Sequence, residues 1–249
     1  MAESSSDLFP TLGTNRPPTV IERAPSTNAR HFSPSSSSLS LPQPRVGRQF
    51  RPICPSADCA FDEGTLCAYA SSADADLLLE GHPEAEELRK GGRQLRPWRL
   101  GDGLTGNLLT GISRDLSGRG GYAFAGLKPD ETDEVAPDDQ YVLATKLELT
   151  APARLDFFVH AAGRRGRLRV CVDSLESCPF QVHALDILLE SALSPAANGA
   201  PFFWRNYHVQ LQPGQLTIYF VADRLKRNYL LGLDNVQLLN QFGMASQAC

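Results

Sequence analysis

The chain lacks most of the features that would mark a membrane span or a catalyst. Its longest apolar stretches, such as Leu77-Leu78-Leu79 and Tyr229 to Leu233, fall far short of the roughly 18 residues a spanning helix needs. No Asn-x-Ser/Thr sequon occurs, so N-glycosylation lends no support to secretion. There is no Cys-x₂-Cys pair, and the five histidines (His31, His82, His160, His183, His208) are scattered, which excludes the common zinc spacings. No Gly-x-Ser-x-Gly elbow is present. Gly118-Arg119-Gly120-Gly121 lacks the Lys-Ser/Thr and the helix of a phosphate loop, and reads as a tight turn. The start, Ser4 to Asp7 after Met1-Ala2-Glu3, has no apolar core of about 7–15 residues as in a secretory signal. A strong charge of either sign is also missing. Lys+Arg is 24 and Asp+Glu is 28, net −4, which argues against nucleic acid or an anionic membrane surface as the main partner.

What is present divides unevenly over 249 residues, enough for one large domain or one domain with a tail. Residues 1–50 hold ten Ser, seven Pro and no Cys, Tyr or Trp. Such a segment cannot bury enough apolar surface to offset chain entropy, so it is expected to be a disordered linker, stalk, propeptide or spacer. From about Phe50 the pattern is of strands and turns. Phe157 and Val159 alternate with Asp156 and Phe158, and Leu168, Val170 and Val172 with Arg167, Arg169 and Cys171. Leu216, Ile218 and Phe220 alternate with Thr217, Tyr219 and Val221, as in a strand buried on both faces. Leu230, Asp234, Val236 and Leu238 are expected on one face of a last strand. Glu80 to Arg89 and Val182 to Leu193 read as short helical insertions, the second with Leu185, Leu188, Leu189 and Leu193 at helical spacing. Without a βαβ rhythm, the expected fold is an all-β antiparallel sandwich.

Six cysteines, Cys54, Cys59, Cys67, Cys171, Cys178 and Cys249, allow fifteen pairings. Two short loops stand out, Cys59 with Cys67 and Cys171 with Cys178, the second clipping a hairpin. Cys54 with Cys249 would then tie the domain's ends together. The competing reading is six reduced, buried thiols of a cytosolic protein. Disulfides are the expectation, and they imply an oxidising compartment. That conflicts with the absent signal, and suggests a fragment or a misplaced start.

Cys59-Ala60-Phe61-Asp62-Glu63-Gly64-Thr65-Leu66-Cys67 resembles the opening of a MAM domain, the extracellular module of meprin-type proteases, neuropilin-type receptors and receptor tyrosine phosphatases. Tyr69, Asp74, Asp76 and then Trp98-Arg99 follow in the family's order, across an apparent insertion. Leu109 to Tyr122, with Thr110-Gly111, Asp115 and Gly120-Gly121-Tyr122, is similar to the family's next signature. Ala144 to Leu149, Leu155 to Gly163, Gly166 to Val170, the Trp204 strand, Leu216 to Phe220 and Gly232 to Val236 resemble its later strands. The resemblance spans residues 54–249. The family's third cysteine is absent, with Ala153-Arg154 in its place; its His is Leu116 and its second Asp is Asn235.

The resemblance implies a jelly-roll sandwich outside or on the surface of the cell. It implies no catalysis, but adhesion or receptor assembly through protein partners, homophilic ones included. Some members hold a cation between acids near the first disulfide and on the last strand. Here the candidates are Asp62 and Asp234, with Asp74 or Asp76 as further candidates, for calcium or another cation. Two other readings remain open. One is a carbohydrate- or ligand-binding jelly roll, with Phe202, Phe203, Trp204 or Tyr207 as a sugar platform, although Trp204 suits the core better. The other is the non-catalytic part of a larger secreted hydrolase or receptor. His160 is expected to cap a hairpin and His208 to face solvent. The acids Asp130-Glu131-x-Asp133-Glu134 and Asp138-Asp139 are expected to form a solvated loop, with calcium as the sharper alternative.

Overall fold

The computed structural model describes residues 57–71, 95–133, 136, 139–193 and 203–245. The tail 1–50, the Glu80 to Arg89 stretch, Asp74, Asp76, Phe202, Cys54 and Cys249 lie outside them.

Among the described residues, eleven strands and one helix follow in order: β1 Ala70–Ser71, β2 Leu95–Pro97, β3 Arg99–Gly101, β4 Tyr122–Ala125, β5 Gln140–Leu149, β6 Ala153–Ala162, β7 Arg167–Val172, β8 Phe180–His183, α1 Ala184–Leu193, β9 Trp204–Leu211, β10 Gly214–Asp223 and β11 Leu230–Asn240. The first sheet runs β1-β5-β10-β7-β8, with β2 also on β5; the second runs β3-β4-β11-β6-β9. Pairing is antiparallel except for β2 with β5. Two such sheets, packed on shared inner faces, make the expected jelly-roll-like sandwich.

The core follows the period of two. Leu155, Phe157, Val159 and Ala161 point inward from β6, and Ile218, Phe220 and Ala222 from β10. Phe157 stands edge-on to Phe220 at 5.2 Å and to Phe180 at 5.3 Å between ring centres. Such pairs contribute about 0.5–1.5 kcal/mol each beyond their buried area. β10 is buried on both sides, as its sequence predicts, because Tyr219 and Val221 meet Val142, Ala144 and Cys171 on the outer face.

Trp98 carries the chain from one sheet to the other. The single residue between β2 and β3, it donates its indole N–H to the Tyr141 carbonyl at 3.0 Å and its backbone N–H to Ser71 Oγ at 2.7 Å. Beside this crossing, β2, β3 and the segment after β4 border a pocket.

Two sequence expectations about faces are corrected. β11 shifts register between Asp234 and Gln237, and Asn235 takes φ +46°. The bulge turns Val236 and Leu238 inward, while Leu230 and Asp234 stay on the outer face. In α1 the buried residues are Ala184, Ile187 and Ser191, whereas Leu185, Leu189 and Leu193 are 45%, 55% and 84% exposed. The helix rests instead on inward-facing residues of β9: the Arg205 guanidinium donates to Ser191 Oγ and the Glu190 carbonyl, and the Tyr207 hydroxyl to Glu190 Oε2 at 2.7 Å.

Candidate functional site

The first disulfide loop meets the last strand. Cys59 and Cys67 are bonded, and Cys59 exchanges both backbone hydrogen bonds with Val236 at 2.9 and 2.8 Å. Asp58 Oδ1 accepts the Leu238 N–H at 2.6 Å. The second expected bridge, Cys171 with Cys178, clips the β7–β8 connection.

Three carboxylates surround the loop 115–121. Asp62 Oδ1 accepts the Gly121 N–H at 3.3 Å. A Cβ at Gly120 would lie 1.8 Å from that oxygen, so only glycine fits there. Asp115 Oδ2 accepts the Ser117 N–H at 2.8 Å and the Ser117 hydroxyl. Asp234 Oδ2 accepts the Leu116 N–H at 2.8 Å, and its Oδ1 the Asn235 N–H at 2.6 Å. Burial works against ionised Asp115, but the Ser117 hydroxyl and the backbone N–H groups around it hold its pKa below the usual range. Asp234 goes the other way. Burial pushes it up to about 7 against its two backbone donors, and the charges of Asp115 and Asp62 add to the rise.

Asp62 and Asp234 thus both hold the loop 115–121. As arranged they anchor a loop: each accepts backbone N–H groups, and among the described residues no three or more His, Cys, Asp or Glu side chains are grouped closely enough to hold a metal ion. Open clefts of about 440 and 600 Å³ flank Asp62, one toward Asn235 and Gln237, the other toward Asp102 and Arg119.

The same loop divides the outer face of the second sheet. Ile112 and Leu116 cover one half, over Tyr122, Phe124, Leu230 and Trp204. His160 lies within this covered half rather than capping a hairpin, with Trp204 and Phe203 at 5.3 and 5.5 Å. Its Nδ1 is buried without a partner, and burial pushes its pKa down to about 4. Trp204 is 5% exposed and donates to the Arg114 carbonyl at 3.0 Å, so it is core and not a platform. Tyr207 faces inward against Phe157 and Phe180; only Phe203 of the aromatics expected as a platform and described is well exposed.

The other half is open and polar. Asp156 pairs across the strands with His208 on one side and Gln237 on the other; Phe158 pairs with Asn206, and Arg154 with Gln210. Asn206, His208 and Gln210 are exposed, and the Arg154 guanidinium holds both Asp156 oxygens at 2.5 and 2.6 Å. Phe242, also exposed, borders this face, where the Gln241 carbonyl accepts from Gln210 at 3.5 Å. Sequence reasoning found the solvent-facing His208 but missed the array, because cross-strand register is not written in any one strand.

The acidic loop is not simply solvated. Glu131 takes both Arg99 nitrogens, and Asp139 the Arg96 Nε at 2.6 Å. Glu134 and Asp138 lie outside the described residues.

No helix among the described residues is long and apolar enough to cross a membrane. No family model matches the sequence, and no curated protein matches it. Among solved structures, a cleaved adhesin domain of Lys-gingipain from Porphyromonas gingivalis aligns over 74% of this chain and 97% of its own, at 14% identity and TM-score 0.46. A carbohydrate-binding module specific for non-crystalline cellulose aligns over 76% of this chain and 95% of its own, at 10% identity and TM-score 0.37. A module solved with β-1,4-galactotriose aligns over 61% and 93%, at 14% identity and TM-score 0.34. At these identities the likeness concerns the sandwich architecture and nothing finer.

Proposed function

We propose that this chain is a non-catalytic, extracellular ligand-binding sandwich that holds a carbohydrate on the open half of the second sheet's outer face. The observation that carries the reading is the cross-strand array of Arg154, Asp156, Asn206, His208, Gln210 and Gln237 beside Phe158. Amides and an internally neutralised Arg–Asp pair offer donors and acceptors on one sheet face, which suits a neutral polyol, and the exposed ring of Phe242 supplies apolar contact. The rigid strands fix that geometry before the ligand arrives. The two disulfides among the described residues support an oxidising compartment. A glycan array probed with the full chain tests this. Binding that falls by about tenfold in Asn206→Ala or His208→Ala is expected from the loss of a hydrogen bond; an array without hits refutes it.

A second reading is a MAM-like adhesion module with protein partners, homophilic ones included. It is favoured by the meeting of residues far apart in the chain, Cys59, Asp62, Asp115, Gly120 and Asp234, all of which belong to the resemblance. Sedimentation velocity over a range of concentrations would reveal self-association, and six free thiols in protein from its native source would count against either extracellular reading.

A further inference from the structure

Beside the Trp98 crossing lies a pocket of about 390 Å³, lined among others by Arg96, Arg99, Glu131, Asp133 and Tyr141. It uses neither the polar sheet face nor the disulfide loop. Tyr141 is 1% exposed, yet its hydroxyl has no hydrogen-bond partner. An unpaired buried hydroxyl costs about 1–3 kcal/mol, so its persistence in a pocket wall calls for a reason.

The pocket's donors are already committed. Arg99 gives Nη1 and Nη2 to Glu131 and also Nη2 to the Gly126 carbonyl at 2.6 Å, with its guanidinium 4.9 Å above the Phe124 ring. Arg96 gives Nε to Asp139 and approaches Asp133 at 3.7 Å. What is left over is acceptor capacity. The Asp133 side chain is 70% exposed, and among the described residues its one ion pair is that long contact. Asp130 lines the pocket and pairs with no arginine among the described residues, and Asp139 Oδ1 is buried without a partner. Two guanidinium groups face three lining carboxylates, with Asp139 a fourth beneath Arg96, for a net charge of −2. Lys128 does not offset this from within, because its ammonium sits 5.5 Å over the Phe124 ring and is not in the lining.

We propose that this pocket receives the ammonium group of a lysine side chain presented by a protein partner. An ammonium brings three donors and no acceptor, which matches an excess of acceptors. A neutral polyol would bring as many acceptors as donors, and an anion would meet the net negative charge. Leu127 and Pro97 also line the pocket and give the lysine's aliphatic stem an apolar wall. The Tyr141 oxygen and the Asp133 carboxylate then share the ammonium's protons, and the unpaired hydroxyl acquires its partner. Burial pushes the Tyr141 pKa up to about 12, so the phenol stays neutral over the working range.

The test titrates the full chain with Nα-acetyl-lysine N-methylamide, its neutral norleucine counterpart and glucosamine, followed by NMR shifts of the Arg96 and Arg99 side chains. Saturable binding of the lysine derivative alone is expected, weakened about tenfold in Tyr141→Phe, as for a lost hydrogen bond to a charged group, and also weakened in Asp133→Asn. Tyr141→Phe is also expected to melt no lower than the parent, since it removes an unpaired hydroxyl. Equal binding of the norleucine compound, preference for glucosamine, no saturable binding of the lysine derivative, or unchanged affinity in Tyr141→Phe would each overturn the assignment.

Discussion

His160 and Asp234 lie on the same outer face of adjacent strands, one register step apart: His160 pairs with Gly232, and Asp234 with Phe158. The loop that covers His160 also donates its Leu116 N–H to Asp234. One is a buried base and the other a buried acid, and burial moves them in opposite directions, His160 to about 4 and Asp234 to about 7.

The consequence for pH is a cancellation. Between about pH 4 and 6.5 the unfolded chain protonates His160 and the folded chain does not, so this group makes stability rise with pH. Between about pH 4 and 7 the folded chain keeps a proton on Asp234 that the unfolded chain has lost, so this group makes stability fall with pH. Denaturant midpoints of the parent should therefore vary little across this window on account of these two groups. His160→Phe should leave a stability that declines toward pH 7, and Asp234→Asn one that increases. If both variants keep the parental profile, the two titrations are not linked to folding.

Calcium provides a separate test of the same carboxylates. Asp62, Asp115 and Asp234 each already accept backbone N–H groups, so melting curves with calcium and with chelator should superimpose. An upward shift in calcium, abolished by Asp62→Asn, would show that the loop opens to ligate a cation and would establish the metal reading.

Gly120 faces Asp62 so closely that an added methyl has nowhere to go, 1.8 Å from a carboxylate oxygen. Gly120→Ala should cost about 1–3 kcal/mol through a forced shift of the disulfide loop. Pairing it with Asp62→Ala should recover much of that loss, measured as a double-mutant cycle by chemical denaturation. A purely additive cycle would place the strain elsewhere.

The strands were legible because alternation in Phe157–Val159, Leu168–Val170 and Leu216–Phe220 is local, and the two short cysteine loops are local too. The face of Val236 was not legible, since the bulge at Asn235 flips every residue after it. Nor was the burial of His160, which depends on a loop some fifty residues earlier in the chain folding back over β6. The candidate faces fared likewise: the polar array and the Tyr141 pocket each combine residues from three or more segments, and no single segment carries their signal.

The helix gives the clearest contrast between pattern and packing. Leu185, Leu189 and Leu193 have the spacing of a buried stripe, yet they face outward, while Ile187 is fully buried. Ile187→Ala should therefore cost about 2–5 kcal/mol by opening a cavity against the core. Leu189→Gln and Leu193→Ser should change stability by less than about 0.5 kcal/mol, as exposed sites do. Urea unfolding of the three variants decides the matter. A large loss at Leu189 or Leu193 would mean that the outward stripe is covered in solution, and a change in sedimentation of the same variant would identify the cover as a second copy of the chain.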